Sequence, residues 1–304
     1  MKRLFKILLS LTVLFTVHTS QFAVNAQFFN GGFITNNEQY DSAAQRFIDN
    51  AEIVGLVQKR AINQLVLDLK GNGNTTNNTD VWQLMIAIYP FCPTNNAIAK
   101  LITYSYNLKT PYIHPDSTFN MTWVNNPQAK VFGVYATNNN NEYGLTNIFP
   151  DKNIPLNSAG LTVAISVDTN TNNTRYYDFG CYNTSPNRFF SFINNFSGTA
   201  QLLINQADFP NYANTTKIGV FTGSRNLSNE INVYQNGTIF NTKNTLSTNK
   251  PNSNLAFMGR YNGTSAQNIT NKTYTFAAVH KGLSANNAKD LYDAIIKYNN
   301  LINR

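Results

Sequence analysis

The stretch EINVYQNGTIF, residues 230–240, decides the fold class. Ile231 and Val233 alternate with polar neighbours, Gln235-Asn236-Gly237 turns the chain, and Thr238-Ile239-Phe240 returns. Alternation at period two marks a half-buried strand. Asn-Gly tolerates the positive φ angles that a tight turn requires. The segment reads as an antiparallel hairpin, and its texture extends in both directions. From about Trp82 onward, short apolar or alternating runs are punctuated by Asn, Gly and Pro. Candidate strands are 102–108, 119–123, 131–136, 161–167, 175–180, 188–194, 200–204, 217–223, 230–234, 238–241, 254–258 and 273–280. Many short strands at this spacing indicate a sandwich or barrel.

Outside this region the pattern changes to helix. Ile62, Leu65, Val66 and Leu69 recur at helical spacing, and Gly71-Asn72-Gly73 follows as a stop. A shorter helix with Ala44, Phe47 and Ile48 begins after Asp41, a suitable N-cap. At the other end, Ser284 caps a helix whose apolar stripe is Ala288, Leu291, Tyr292, Ile295, Ile296 and Ile302. Two short helices bury too little to stand alone, so the N-terminal pair should pack on the β domain or on a neighbouring subunit. Residues 1–26 have the layout of a secretory signal: Lys2, Arg3 and Lys6, an apolar run from Ile7 to Val17, then small residues ending at Ala26. A retained hydrophobic anchor is the alternative. The domain reading is leader or anchor over 1–26, linker and short helices over 27–80, and sandwich over 81–304.

Composition supports a packed core. The chain of 304 residues is 42% hydrophobic and only 12% charged, the reverse of a disordered chain. The net charge of +8 is not clustered into a basic stripe with interleaved aromatics, so no nucleic-acid partner is expected. No membrane span is expected in the mature chain. Cys92 and Cys181 read equally as a disulfide or as two buried thiols. Sequons such as those at Asn120, Asn195, Asn236 and Asn262 read as turn chemistry in a chain rich in Asn and Thr.

Two regions, Ala44 to Phe91 and Ile218 to Asn299, carry a further pattern: AQRFIDNAEIVGLVQKRAINQLVLDLKGNG, VWQLMIAIYPF, IGVFTGSRNLSNEINVYQNGTIF, LAFMGRYNG and FAAVHKGLSANNAKDLYDAIIKY. This set resembles the concanavalin A-like (laminin-G-like, pentraxin-like) jelly-roll proteins found among the virion and fibre proteins of tailed bacteriophages. The resemblance implies a mainly β, two-sheet antiparallel jelly-roll sandwich with a short N-terminal helical segment and a C-terminal helix. It implies display on a particle or cell surface and, often, contact with glycans. The leader is a departure from phage virion proteins, and the Ala26-Gln27 junction resembles cleavage sites of Bacteroidota.

Catalytic patterns are sparse. Glycosidases need two facing carboxylates, and the β region has no acid pair at i, i+2 or i, i+4. A Glu-x-Asp-x-x-Glu run and a Gly-x-Ser-x-Gly elbow are both missing, and outside the leader the histidines are His114 and His280. Calcium is the one cofactor with any support: Asp168, Asn170 and Asn172 place oxygens at alternate positions, although a solvated hairpin tip accounts for the same residues. For ligand contact the suitable groups are rings and planar polar side chains on loops: Arg225 and Asn226, Arg260, Tyr261 and Asn262, and Tyr182 and Asn183. Ordinary turn chemistry competes with each of them. The resulting expectation is a non-catalytic surface or virion structural protein of phage head, tail-fibre or decoration type, located on a virion or extracellular surface. Its lectin-like sandwich would contact a glycan or cell-surface polysaccharide, other subunits of its own kind, or other surface proteins. A secreted glycoside hydrolase or lyase of the same fold is the first alternative, and a purely structural assembly subunit the second.

Overall fold

The computed structural model describes residues 38–111, 119–137, 141–169, 176–184, 187–196, 199–206, 211–213 and 217–304. The leader, most of the linker, His114, Asn170, Asn172 and the start of the candidate strand at Arg175 lie outside the described residues. Residues Tyr40–Arg304 form one compact unit, mainly β.

Its strands form two sheets. The first runs in the order Thr238–Asn244, Glu230–Gln235, Gly219–Leu227, Ala159–Val167, Thr273–His280, Gly133–Tyr135 and Gln128–Lys130, and Met85–Tyr89 also pairs with Thr273–His280. The second runs Asn211–Ala213, Thr199–Gln206, Asn187–Phe196, Phe179–Thr184, Ala256–Phe257, Tyr143–Leu145 and Thr122–Val124. A small hairpin, Arg260–Tyr261 with Ala266–Gln267, joins the second sheet beside Phe179–Thr184. Pairing is antiparallel throughout these strands except at that junction, where Tyr261 lies opposite Cys181 in a parallel sense.

The two sheets share one apolar core. Leu161, Val163, Phe221, Ile231, Val233, Ala277 and Val279 of the first meet Phe179, Phe190, Phe192, Leu202, Ile204 and Phe257 of the second. The other face of the first sheet, with Ala164, Val220, Tyr234, Phe276 and Ala278, is covered by helices. A sheet buried on both faces needs near-continuous apolar strands. That is why TYTFAAVH at 273–280 lacks alternation and why every residue in it is buried.

The helical cover follows from the sequence stripes. Asp41 caps Ser42–Asn50 by accepting from the Ala43 N–H at 2.9 Å, and its carboxylate also holds Lys70 at 2.8 Å. Leu56–Leu69 buries Ala61, Ile62, Leu65, Val66 and Leu69, and Gly71 leaves the helix at φ +73°. Ala285–Leu301 buries Ala288, Leu291, Ala294, Ile295 and Tyr298, and its start is closed by a reciprocal capping box between Ser284 and Asn287. Full burial of each Leu or Ile here contributes about 1.5–3 kcal/mol. Polar contacts set the angle between the helices: Asp290 accepts from the Asn77 and Thr79 N–H groups at 2.7 Å, and Asp68 accepts from Lys297 at 3.1 Å. The N-terminal helices therefore pack on this chain's own sheet.

Several local expectations are corrected. Residues 102–108 are not a strand. Leu101–Ser105 is a helical turn with Tyr104 buried beneath it, and the Leu101 carbonyl accepts from the Trp123 indole at 3.1 Å. The run 131–136 begins as the turn of an edge hairpin, Gln128–Lys130 with Gly133–Tyr135, and only its middle is strand. Met85–Tyr89, absent from the candidate strands, is a buried strand. Cys92 and Cys181 are both free and buried. They sit in different apolar clusters, one under the helices and one between the sheets, which rules out a bond between them.

Candidate functional site

Five of the seven residues expected to touch a ligand lie close together, at the Phe179–Thr184 strand and the small hairpin beside it. Phe179–Thr184 directs Phe179 and Cys181 into the core, so Tyr182 faces outward. The parallel junction sets Arg260 and Tyr261 alongside it. Asn262 turns the small hairpin by accepting from the Thr264 and Ser265 N–H groups at 2.9 Å, with Gly263 at φ +98°. Asn183 donates to Asn252 at 2.6 Å and to Ser253 at 3.1 Å, and accepts from the Asn252 N–H.

At the centre is a stacked cation. The Arg260 guanidinium carbon lies 4.0 Å from the ring centroid of Tyr177 and 4.0 Å from that of Tyr182. Such contacts contribute about 0.5–2 kcal/mol each and fix the guanidinium plane before any ligand arrives. The Tyr182 hydroxyl donates to Gln267 Oε1 at 2.6 Å. Tyr261 packs against Tyr143 with centroids 6.3 Å apart, and burial raises the Tyr143 phenol above its usual pKa. Arg260, Tyr261, Asn262 and Asn183 are half-buried, and Asn252 is exposed. The surface thus offers a ring face, amides and a fixed positive charge. That set can stack on a flat apolar ring face and hydrogen-bond hydroxyls or a carboxylate. Tyr177, Tyr143, Asn252 and Gln267 were not among the sequence candidates. They come from four separate segments, and no spacing links them.

The remaining expected residues are placed elsewhere. Arg225 is not on a loop. It lies in Gly219–Leu227 with 0% exposure, donating to the carbonyls of Ile204, Leu227, Ser228 and Thr245 and to Gln206. Burial draws its pKa down to about 10, so it stays charged at neutral pH. Asn226 donates to the Leu283 carbonyl. Arg225 ties its strand to neighbouring strands and turns, Asn226 ties it to the segment that leads into the final helix, and neither lies on an exposed loop. Of the calcium candidates, Asp168 is buried with Lys272 as counter-ion at 3.9 Å. Lys272 also meets Asp178 at 2.8 Å, and Asp178 accepts from the Tyr274 hydroxyl at 2.5 Å. Among the described residues no cluster of three or more His, Cys, Asp or Glu side chains could hold a metal. The same network brings two acids together that sequence spacing kept apart.

No protein-family model and no curated protein matches the chain. Solved structures do. A mutant of Trypanosoma rangeli sialidase displaying trans-sialidase activity has a TM-score of 0.53 at 10% identity, over 79% of this chain and 38% of that one. Trypanosoma rangeli sialidase in complex with sialic acid has a TM-score of 0.52 at 9% identity, over 78% and 38%. The chain therefore spans little more than a third of the sialidases that it resembles. At this identity the likeness concerns the fold. It corrects the expectation of a non-catalytic virion protein: the architecture is shared with part of a sialidase.

Proposed function

We propose that this protein recognises glycans through the surface around its Arg260–Gln267 hairpin, beside the second sheet, as part of glycan hydrolysis. The carrying observation is the guanidinium of Arg260 held between Tyr177 and Tyr182, beside Tyr261 and the Asn183–Asn252 amides. The half-buried Tyr261 ring supplies affinity for the apolar side of a sugar ring, and amides fix its hydroxyls. A fixed guanidinium adds preference for a carboxylated sugar. The fold shared with part of a sialidase supports the reading, and so does the concanavalin A-like resemblance of the sequence. An extracellular location accords with the leader-like residues 1–26.

The test is binding to an array carrying sialylated, uronate-containing and neutral oligosaccharides. Wild type should bind, and Tyr261→Ala and Arg260→Gln should each lose about tenfold or more in affinity. Absence of binding to every class would defeat the proposal. Cleavage by this chain itself is a second reading, favoured by the convergence of Asp168 and Asp178 on Lys272. Two oxygens sharing one ammonium at these distances lie within about 7 Å, inside the range of glycosidase carboxyl pairs. Both carboxylates are buried and share the single Lys272 ammonium, so cleavage there requires the network to open. Sugar release that disappears in a folded Asp178→Asn variant would support it, and release unaffected by that change would place the chemistry elsewhere.

A further inference from the structure

We infer that a second, separate glycan subsite, selective for neutral sugars, lies in the groove at the Thr122–Val124 edge of the second sheet. The groove has a volume of about 490 Å³. Ile102, Tyr106, Asn120, Thr122, Trp123 and Asn126 line it. Its size falls within the range of small-molecule sites.

Three observations select the occupant. First, among the described residues no Asp, Glu, Lys, Arg or His lines the groove, and its described lining is rings, amides and hydroxyls. Second, Trp123 and Tyr106 are both half-buried at the groove, and the Trp123 ring is held from behind by Phe91 and Phe257, each with centroids 6.4 Å away. Its indole N–H is spent on the Leu101 carbonyl, which fixes the ring plane. A fixed ring loses little entropy on stacking. Third, the hydroxyl and amide groups of Thr122, Asn120 and Asn126 surround the rings. The backbone beside them is unusual: Phe119, Asn125 and Asn126 have φ of +45°, +55° and +52°. Left-handed backbone at a bulky residue such as Phe119 is sparsely populated, and it persists where the surroundings hold it. Here the Phe119 carbonyl accepts from the Tyr89 hydroxyl at 2.6 Å, and Asn120 accepts from the Asn107 N–H at 2.8 Å. Rings with uncharged amides and hydroxyls match a neutral pyranose.

This subsite is independent of the Arg260 surface, and the two have separable tests. The chain has two tryptophans, Trp82 and Trp123. In a Trp82→Phe background, emission reports Trp123 alone. Titration with maltohexaose, cellohexaose and mannohexaose should give a saturable emission shift with at least one of them. Thr122→Arg places an exposed side chain across the groove without touching the core, and should weaken that titration at least about tenfold. Tyr261→Ala, which removes the first surface, should leave it unchanged. Circular dichroism checks that each variant is folded. The inference is overturned if none of the three sugars shifts the emission. It is equally overturned if Thr122→Arg leaves the shift intact, or if Tyr261→Ala abolishes it.

Discussion

His280 shows how far one residue's environment can depart from its sequence context. Beside Lys281-Gly282 it reads as a surface-loop histidine. In the fold it is fully buried, with Nε2 at 3.0 Å from the Thr162 hydroxyl and Nδ1 at 2.7 Å from the Lys281 carbonyl. Burial holds its pKa down to about 4. Between an unfolded value near 6.5 and this folded value, the unfolded chain takes up a proton that the folded chain refuses. Stability contributed by neutral His280 is therefore whole above about pH 6.5 and lost as pH falls towards 4, by about 3 kcal/mol in total. His280→Gln should flatten that part of the stability-versus-pH curve, as measured by urea unfolding at several pH values. Arg225 makes the parallel case for charge. Arg225→Met would fill similar space but leave the carbonyls of Ile204, Ser228 and Thr245 without their donor. The expected loss is about 3 kcal/mol or more in urea unfolding. As candidates, Arg225 and Arg260 looked alike in sequence. One proved a buried tie and the other a half-buried surface group, because burial is decided by neighbours from distant strands.

At the scale of elements, local chemistry reads best where turns and caps are explicit. Asn236 and Gly237 adopt φ of +50° and +73°, as the Asn-Gly turn requires, and Asn236 Oδ1 also accepts from the Val220 N–H at 3.0 Å. Asn236→Ala removes that bond and places an alanine in left-handed backbone, which should lower stability by about 1–2 kcal/mol in thermal or urea unfolding. Ser284→Ala breaks the capping box and should cost about 1 kcal/mol by the same measurement. Elements without such signals were harder to read. The run 102–105 alternates apolar and polar residues as a strand would, but the Trp123 indole and the buried Tyr104 favour one helical turn over Leu101–Ser105. The small hairpin Arg260–Gln267 has only two residues in each strand, too few for periodicity to register.

Across the whole molecule, the layers are helix, sheet and sheet, with one apolar cluster on each side of the first sheet. The two clusters share that sheet, so a single cooperative unfolding transition is expected. The cysteines offer a direct check. Cys92 belongs to the helix-side cluster and Cys181 to the inter-sheet cluster, and burial pushes the Cys92 thiol up to about 11. Reductant should leave the melting temperature unchanged. Both thiols should react with a maleimide only in denaturant, and protection of just one under native conditions would show that the clusters open separately. The sequence by itself determined the β-rich character, the Asn236-Gly237 hairpin, the capped final helix and the N-terminal helices. Each follows from propensity and periodicity within about ten residues. Only the tertiary structure decided that the helices cover the first sheet and that the small hairpin Arg260–Gln267 joins the second. It also decided that Tyr177, Tyr182 and Arg260 stack there and that Asp168 meets Asp178 across Lys272. The physical reason is that strand pairing joins residues far apart in the chain, and the sequence pattern does not state which strands become neighbours.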